Sequence, residues 1–526
     1  MRDFQQPGRS VTISQNGMCA TSHPLAAKVA VQVLEAGGNA VDAGIAAAMV
    51  LNICEPQMTG LGGDCFALLR PAPGEGYIGL NASGRGPAGL SAERLRAAGH
   101  AAIPDQSAEA VTIPGAVDGF VTLSDDYGKM PLAKVLAPAI RYAEEGVPVA
   151  PRVAFDWKLA EGRLQGRAQE GYLINGKAPQ TGQVFAAPAQ AEVLRKIATQ
   201  GRAGFYEGEV AQDMVDTLQA AGGCHTLEDF AATRCEYVTP IRTNYRGHTL
   251  TELPPNGHGA TALLMANILG HFDLSGLDPQ GSARAHLEAE AAKLAYDARD
   301  RFIADPSAMA RLDHFLSDET AAQLAALMDP KSVLALPNTR LESVHKETIY
   351  LTVVDKDQMA LSLIYSIFHS FGSGIASDKF GILFQNRGAG FTLQEGHPNE
   401  AAGGKRPMHT IIPAMLEKEG EYLMPFGVMG GQYQPNGHAR FLTNIVDYGL
   451  DPQAAIDAPR SFAHAGDLAL ERGYSDKVRA ELAAMGHNIT KPETAIGGAQ
   501  AIRIDAKTGV LVAGSDPRKD GCALGY

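Results

Sequence analysis

"HKETIYLTVVDKD", residues 345–357, alternates as a strand does: Ile349, Leu351 and Val353 fall on one side, Tyr350, Thr352 and Val354 on the other, and a charged turn closes it. A polar, proline-bearing run, "MDPKSVLALPNTRLESVHKE" (328–347), leads straight to a threonine at the first position of that strand. On pattern alone, Thr348 is a β-branched strand residue with an awkward entrance.

Upstream the chain is rich in helix. Residues 24–53, "PLAAKVAVQVLEAGGNAVDAGIAAAMVLNI", read as two small-residue helices split by a glycine stop and a polar restart. "KMPLAKVLAPAIRYAEEG" (129–146) and "ARAHLEAEAAKLAYDARDRF" (283–302) are further amphipathic helices. After residue 348 the pattern is mainly β-hairpins with late helices, "LTNIVDYGL" and "SDKVRAELAAMGH". By pattern, an α-rich part is joined to a β-rich part by an exposed connector around 329–347.

A chain of 526 residues with 45% hydrophobic and 20% charged residues builds a large core. With 45 basic against 58 acidic residues, net charge −13, the surface repels phosphate backbones and anionic lipid, so a small molecule is the expected partner rather than nucleic acid or membrane. The N-terminus has no basic head followed by an apolar run, and no segment approaches the ~20 apolar residues that span a bilayer, so the chain reads as cytoplasmic. Six cysteines (Cys19, Cys54, Cys65, Cys224, Cys235, Cys522) lack CxxC pairing, which argues against both a zinc site and a disulfide framework and makes them buried structural thiols.

There is no GxSxG elbow, HExxH, GxxxxGK[ST] loop or kinase set. Three glycine clusters remain, "TGLGGDCF" (59–66), "SFGSGI" (370–375) and "VMGGQYQ" (428–434). Each is either a tight turn or a presenter of backbone N–H groups to a developing oxyanion.

A succession of motifs decides between these. "AAKVAVQVLEAGGNAVDAGIAAA", "MTGLGGDCF", "IPGAVDGF", "YGKMPLAKVLAPAIRYAEEGVPV", "LPPNGHG", "ETIYLTVVDKD", "GKRPMHTIIPAM", "VMGGQ", "DYGLDPQAAIDAPR" and "GSDPRKDGCALGY" resemble, in this order, the motifs of the gamma-glutamyltransferase superfamily. The resemblance implies an α+β, four-layer αββα N-terminal-nucleophile (Ntn) hydrolase. A precursor of that kind cuts itself into a large subunit (1–347) and a small subunit (348–526) that stay intertwined as one domain, with a homo-oligomer of such heterodimers as a further expectation.

Placed on that pattern, Thr348 falls at the nucleophile and Glu347–Thr348 at the cleaved bond. Cleavage would leave hydroxyl and α-amine on one residue, and an α-amine with pKa near ~7.7–8 is a fitting general base. Ser366 falls at a second hydroxyl that hydrogen-bonds the nucleophile. Gly430 and Gly431 match the pair whose N–H groups form the oxyanion hole, and no metal or organic cofactor is implied.

The departures from the family pattern bear on the substrate. Where gamma-glutamyltransferases carry an "NNQMDDF"-type stretch, this chain has "QNRGAGF" (385–391), so Ala389 and Gly390 replace the acidic pair that grips an α-amine, and Arg387 adds a planar cation suited to a carboxylate. Phe368 stands at an asparagine position, and His409 and Thr410 stand at a serine pair. Ser83 occupies an arginine position, with Arg85 two residues later, and the run 390–405 is short for a lid, which implies an open site. The substrate-binding set is thus Arg387, His409, Thr410 and Arg85, and the combination resembles the oxamate amidohydrolase branch. The alternatives are a glutathione hydrolase or gamma-glutamyltransferase, a cephalosporin acylase-like enzyme, and an uncleaved non-catalytic binding protein.

Overall fold

Strand Ile349–Val354 is buried along its whole length, and its alternation divides its side chains between two cores. Ile349, Leu351 and Val353 join a cluster with helices Pro24–Glu35, Ala40–Cys54 and Leu132–Glu145. Tyr350 and Val354 face the other way, into a cluster with Met415, Met429, Ile502 and Ile504 of a second sheet. Burial on both faces is what a central strand of a layered fold requires.

The computed structural model describes residues 8–309, 311–335 and 348–526. One seven-stranded antiparallel sheet runs Cys522–Gly525, Met18–Thr21, Ile349–Val354, Ala360–Ser366, Asp64–Arg70, Ile78–Ala82, Glu236–Val238. The other, also seven-stranded and antiparallel, runs Thr12–Ser14, Leu511–Ser515, Gly498–Asp505, Tyr422–Met429, Ala414–Lys418, His248–Glu252, Ile241–Tyr245. The sheets pack face to face, and helices cover both outer faces, Gly259–Leu269, Ser282–Phe302 and Gln434–Val446 lying on the second. This is the αββα arrangement.

The helix breaks fall where the residues dictate. Gly37 (φ 93°) ends the first helix, and Asn39 opens Ala40–Cys54 with a capping box, accepting from the Val41 and Asp42 N–H groups while Asp42 accepts from Asn39 N–H at 2.9 Å.

Two expectations change. The division into an α-rich and a β-rich part is not how the chain folds, because each sheet interleaves strands from before and after residue 348. Short strands before residue 348, such as Asp64–Arg70 and His248–Glu252, carry little period-2 signal of their own. The thiols are also less uniform than expected: Cys19, Cys54 and Cys65 are buried, but Cys224, Cys235 and Cys522 are only partly buried, and all six are free.

Glu288 of helix Ser282–Phe302 is buried between Arg284 and Arg440, the latter on helix Gln434–Val446. Among the described residues no helix is long and apolar enough to cross a membrane.

Candidate active site

Thr348 directly precedes strand Ile349–Val354 and is 2% exposed. Its hydroxyl lies 3.1 Å from that of Ser366, either one donating. Antiparallel pairing, Ile349 opposite Tyr365, brings the start of one strand to the end of the next and so sets the two hydroxyls side by side. Ser366 Oγ also accepts the Phe368 N–H at 2.9 Å. Phe368 holds φ at 78°, a left-handed conformation that costs a non-glycine residue about 1–3 kcal/mol and concentrates at functional sites. Glu347 lies outside the described residues.

Strand Tyr422–Met429 ends at Gly430 (φ 119°) and Gly431 (φ 56°). Both angles favour glycine, and a Cβ on Gly430 would meet the Gly497 Cα at 2.9 Å. A 3₁₀ turn, Gly431–Tyr433, then leads into helix Gln434–Val446, which puts the pair beside the positive end of a helix dipole. That strand crosses the one bearing Tyr350: a Cβ on Gly427 would strike the Tyr350 ring at 2.3 Å, and Ser362 Oγ donates to Phe426 O at 3.3 Å. Thr348 and Gly430 stand two and three residues along the chain from that crossing.

Arg387 opens a single 3₁₀ turn, Arg387–Gly390, and is fully buried. Its Nη1 donates to Thr410 Oγ1 at 2.8 Å, and its guanidinium carbon sits 3.9 Å from the centre of the Phe368 ring. Nε and Nη2, the two donors of the guanidinium's side-on fork, have no hydrogen-bond partner among the described residues. Burial pushes this guanidinium down from its ordinary value to about 9, against the opposing pull of Asp64. A buried cation with an open fork is poised for an anion.

His409 has a different position from the one expected. Its Nε2–H donates to Asp64 Oδ2 at 3.0 Å, and its Nδ1 accepts the Ile411 N–H at 3.3 Å, so both ring nitrogens are used within the protein. Burial, reinforced by Arg387 and only partly offset by Asp64, pushes the imidazole down to about 3. It is a neutral strut, its ring tilted against that of Phe66 with centres 4.8 Å apart, and offers a substrate no free nitrogen.

Asp64 is the residue that sequence reading passed over. First in strand Asp64–Arg70 and opposite Ser366 in the ladder, it is fully buried. Oδ1 accepts from Gly84 N–H (2.8 Å), Gly115 N–H (3.2 Å) and Gln385 Nε2 (2.9 Å), while Oδ2 takes His409. Four segments of chain are gathered on one carboxylate beside Arg387. The signal was present in two motifs already quoted, an acid in "TGLGGDCF" and an imidazole in "KRPMHT", but nothing in either stretch pairs them. Asp64→Asn is expected to lower stability by about 2–4 kcal/mol, because an amide brings one acceptor oxygen to four converging donors. Chemical denaturation reads this directly, and an unchanged midpoint would mean that the donors find other acceptors.

Arg85 is not brought to the site. Its side chain is exposed and pairs with Glu236 (2.7 Å) and Gly404 O (3.0 Å). Arg406 is the buried arginine near Ser83, donating to Ser83 O at 2.9 Å and pairing with the same Glu236 at 3.0 Å. Among the described residues, Ser366, Arg387, His409 and Thr410 are all buried, and within the run 390–405 Phe391 and Leu393 pack on Leu90, Leu95 and Ile103.

The paired hydroxyls at a strand end, the glycine turn across the sheets and the αββα layers define an Ntn-hydrolase. The gamma-glutamyltranspeptidase family model matches residues 26–526, and the chain belongs to that family. It is 36% identical over 530 residues to the "Glutathione hydrolase-like YwrD proenzyme" of Bacillus subtilis (98% of this chain, 99% of that protein). It is 34% identical over 535 residues to the "Oxamate amidohydrolase proenzyme" of Klebsiella pneumoniae (98% of this chain, 100% of that protein). A crystal structure of a cephalosporin acylase from Bacillus halodurans superposes with TM-score 0.92 at 38% identity, covering 100% of this chain and 99% of the other. The chain is a hydrolase of the gamma-glutamyltranspeptidase family, and its named relatives include proenzymes.

Proposed function

We propose that the chain cuts itself between Glu347 and Thr348, and that the freed Thr348 hydrolyses the amide of a small substrate whose carboxylate lies next to the scissile carbonyl, with oxamate the leading compound. The observation that carries this reading is the open Nε/Nη2 fork of buried Arg387, a bidentate fit for a carboxylate. A short chain of contacts ties fork to nucleophile: Arg387 lies on the Phe368 ring, Phe368 N–H donates to Ser366, and Ser366 bonds Thr348.

In this mechanism the Thr348 α-amine takes the proton of its own hydroxyl, which attacks the amide carbon. Gly430 and Gly431 N–H groups hold the oxyanion, Ser366 orients the hydroxyl, and Thr410 fixes Arg387. Collapse expels ammonia with the proton held by the amine, leaving an ester on Thr348. Water, activated by the same amine, then releases the dicarboxylate. Oxamate and water become oxalate and ammonia.

A gamma-glutamyl substrate is the second reading, favoured by the name of the Bacillus subtilis relative. It needs an anion for its α-amine. The acidic pair is replaced by Ala389 and Gly390, and Asp64, the carboxylate beside Arg387, is committed to protein donors. Ammonia release from oxamate, measured beside hydrolysis of a gamma-glutamyl anilide, tests the choice. Saturable turnover of oxamate is expected; saturation with the anilide alone would reverse it.

A further inference from the structure

On helix Ser282–Phe302, His286 and Glu290 stand one turn apart, on the face turned toward the end of helix Asp476–Ala484. His487, in the turn after that second helix, meets them. All three are buried, and one ligand atom from each lies within 4.8 Å of the others. We infer that His286, Glu290 and His487 form a site for a zinc-class divalent ion, separate from the hydrolytic centre.

Two nitrogens and a carboxylate are the donor set that zinc takes at three-ligand sites with an open fourth position. The surroundings are those of an oriented ligand set. His286 Nε2–H donates to the Asp329 carbonyl at 2.8 Å, which leaves Nδ1 as a lone pair facing His487 Nε2 at 2.8 Å. A metal-bound histidine is usually held this way, by a carbonyl on its far nitrogen. Glu290 is steadied by Lys293 Nζ (2.6 Å) and by the Leu334 N–H (2.7 Å).

Binding would change little. A tetrahedral ion with Zn–N bonds of about 2.0–2.1 Å holds two nitrogens about 3.3 Å apart, so the rings must part by only about half an ångström. The His487 proton moves from Nε2 to Nδ1, leaving the imidazole neutral. Glu290 turns one oxygen from Lys293 to the ion.

The site also has a consequence for assembly. Asp329 and Leu334 lie on the run that leads to residue 335, the last described before Thr348, and Val333 N–H donates to Met485 O at 3.1 Å. If the chain is cut before Thr348, as proposed above, the ion would join the large subunit, through His286 and Glu290, to the small one, through His487. Only this consequence rests on the cleavage reading.

The test uses purified full-length protein stripped with a chelator and then titrated with ZnCl2 or CoCl2. One equivalent of either ion is expected to survive gel filtration, cobalt should give the visible absorption of a tetrahedral nitrogen–oxygen site, and zinc but not magnesium should raise Tm. His487→Asn should weaken zinc binding by about two orders of magnitude and abolish the cobalt spectrum. The wild-type cobalt spectrum needs no variant to fold. No retained ion, or binding unchanged in His487→Asn, would overturn the site and leave a buried histidine–histidine hydrogen bond only.

Discussion

Arg387→Ala is expected to lower kcat/KM for oxamate by about 10²–10³-fold, equivalent to about 3–4 kcal/mol of lost carboxylate binding, while leaving self-cleavage intact. Two charge-assisted hydrogen bonds from a rigid fork in a buried site account for a loss of that size. The effect should fall mainly on KM, because the fork holds a group that does not change in the reaction. Arg387→Lys keeps the charge but not the fork, and should recover little. Stability should hardly fall, since losing the guanidinium gives up one hydrogen bond to Thr410 and a cation–π contact with Phe368 but also removes a buried charge, whose neighbouring carboxylate, Asp64, is occupied by other donors. Loss of processing together with activity would make Arg387 a structural residue.

Thr348→Ala should abolish both processing and hydrolysis. Removing a nucleophile that also carries the general base leaves no substitute, and the rate should drop to background, about 10⁵-fold or more. Thr348→Ser keeps the hydroxyl 3.1 Å-class contact with Ser366 available and should retain slower processing and turnover. Quantitative gels and ammonia release check both variants. Residual turnover in the alanine variant at more than a few per cent of wild type would place the nucleophile elsewhere.

Much of the architecture was legible in the chain. The alternation of 349–354 gave a strand, and the structure shows its two faces serving two different cores, Ile349, Leu351 and Val353 against helices and Tyr350 and Val354 against the second sheet. The layers themselves came from the order of motifs, since local pattern misread the chain as an α-rich and a β-rich part. Sheets that interleave strands from both ends are set by long-range pairing that no window of sequence contains.

The site was legible residue by residue but not as a network. Thr348 and Ser366 are eighteen positions apart and joined by one hairpin, so a pattern can place them together. Asp64 and His409 are 345 positions apart, and their pairing converts His409 from an expected substrate contact into a neutral strut. Arg85 followed the missing family arginine by two residues, yet its backbone aims it at Glu236 and solvent, while Arg406 fills the interior. Side-chain direction, unlike residue type, depends on turns that the sequence does not display.

The intact mass of the freshly purified wild-type protein tests the central claim most directly. Two chains are predicted, 1–347 and 348–526, the second with a free N-terminal threonine. A single chain of 526 residues in a preparation that releases ammonia from oxamate would contradict it.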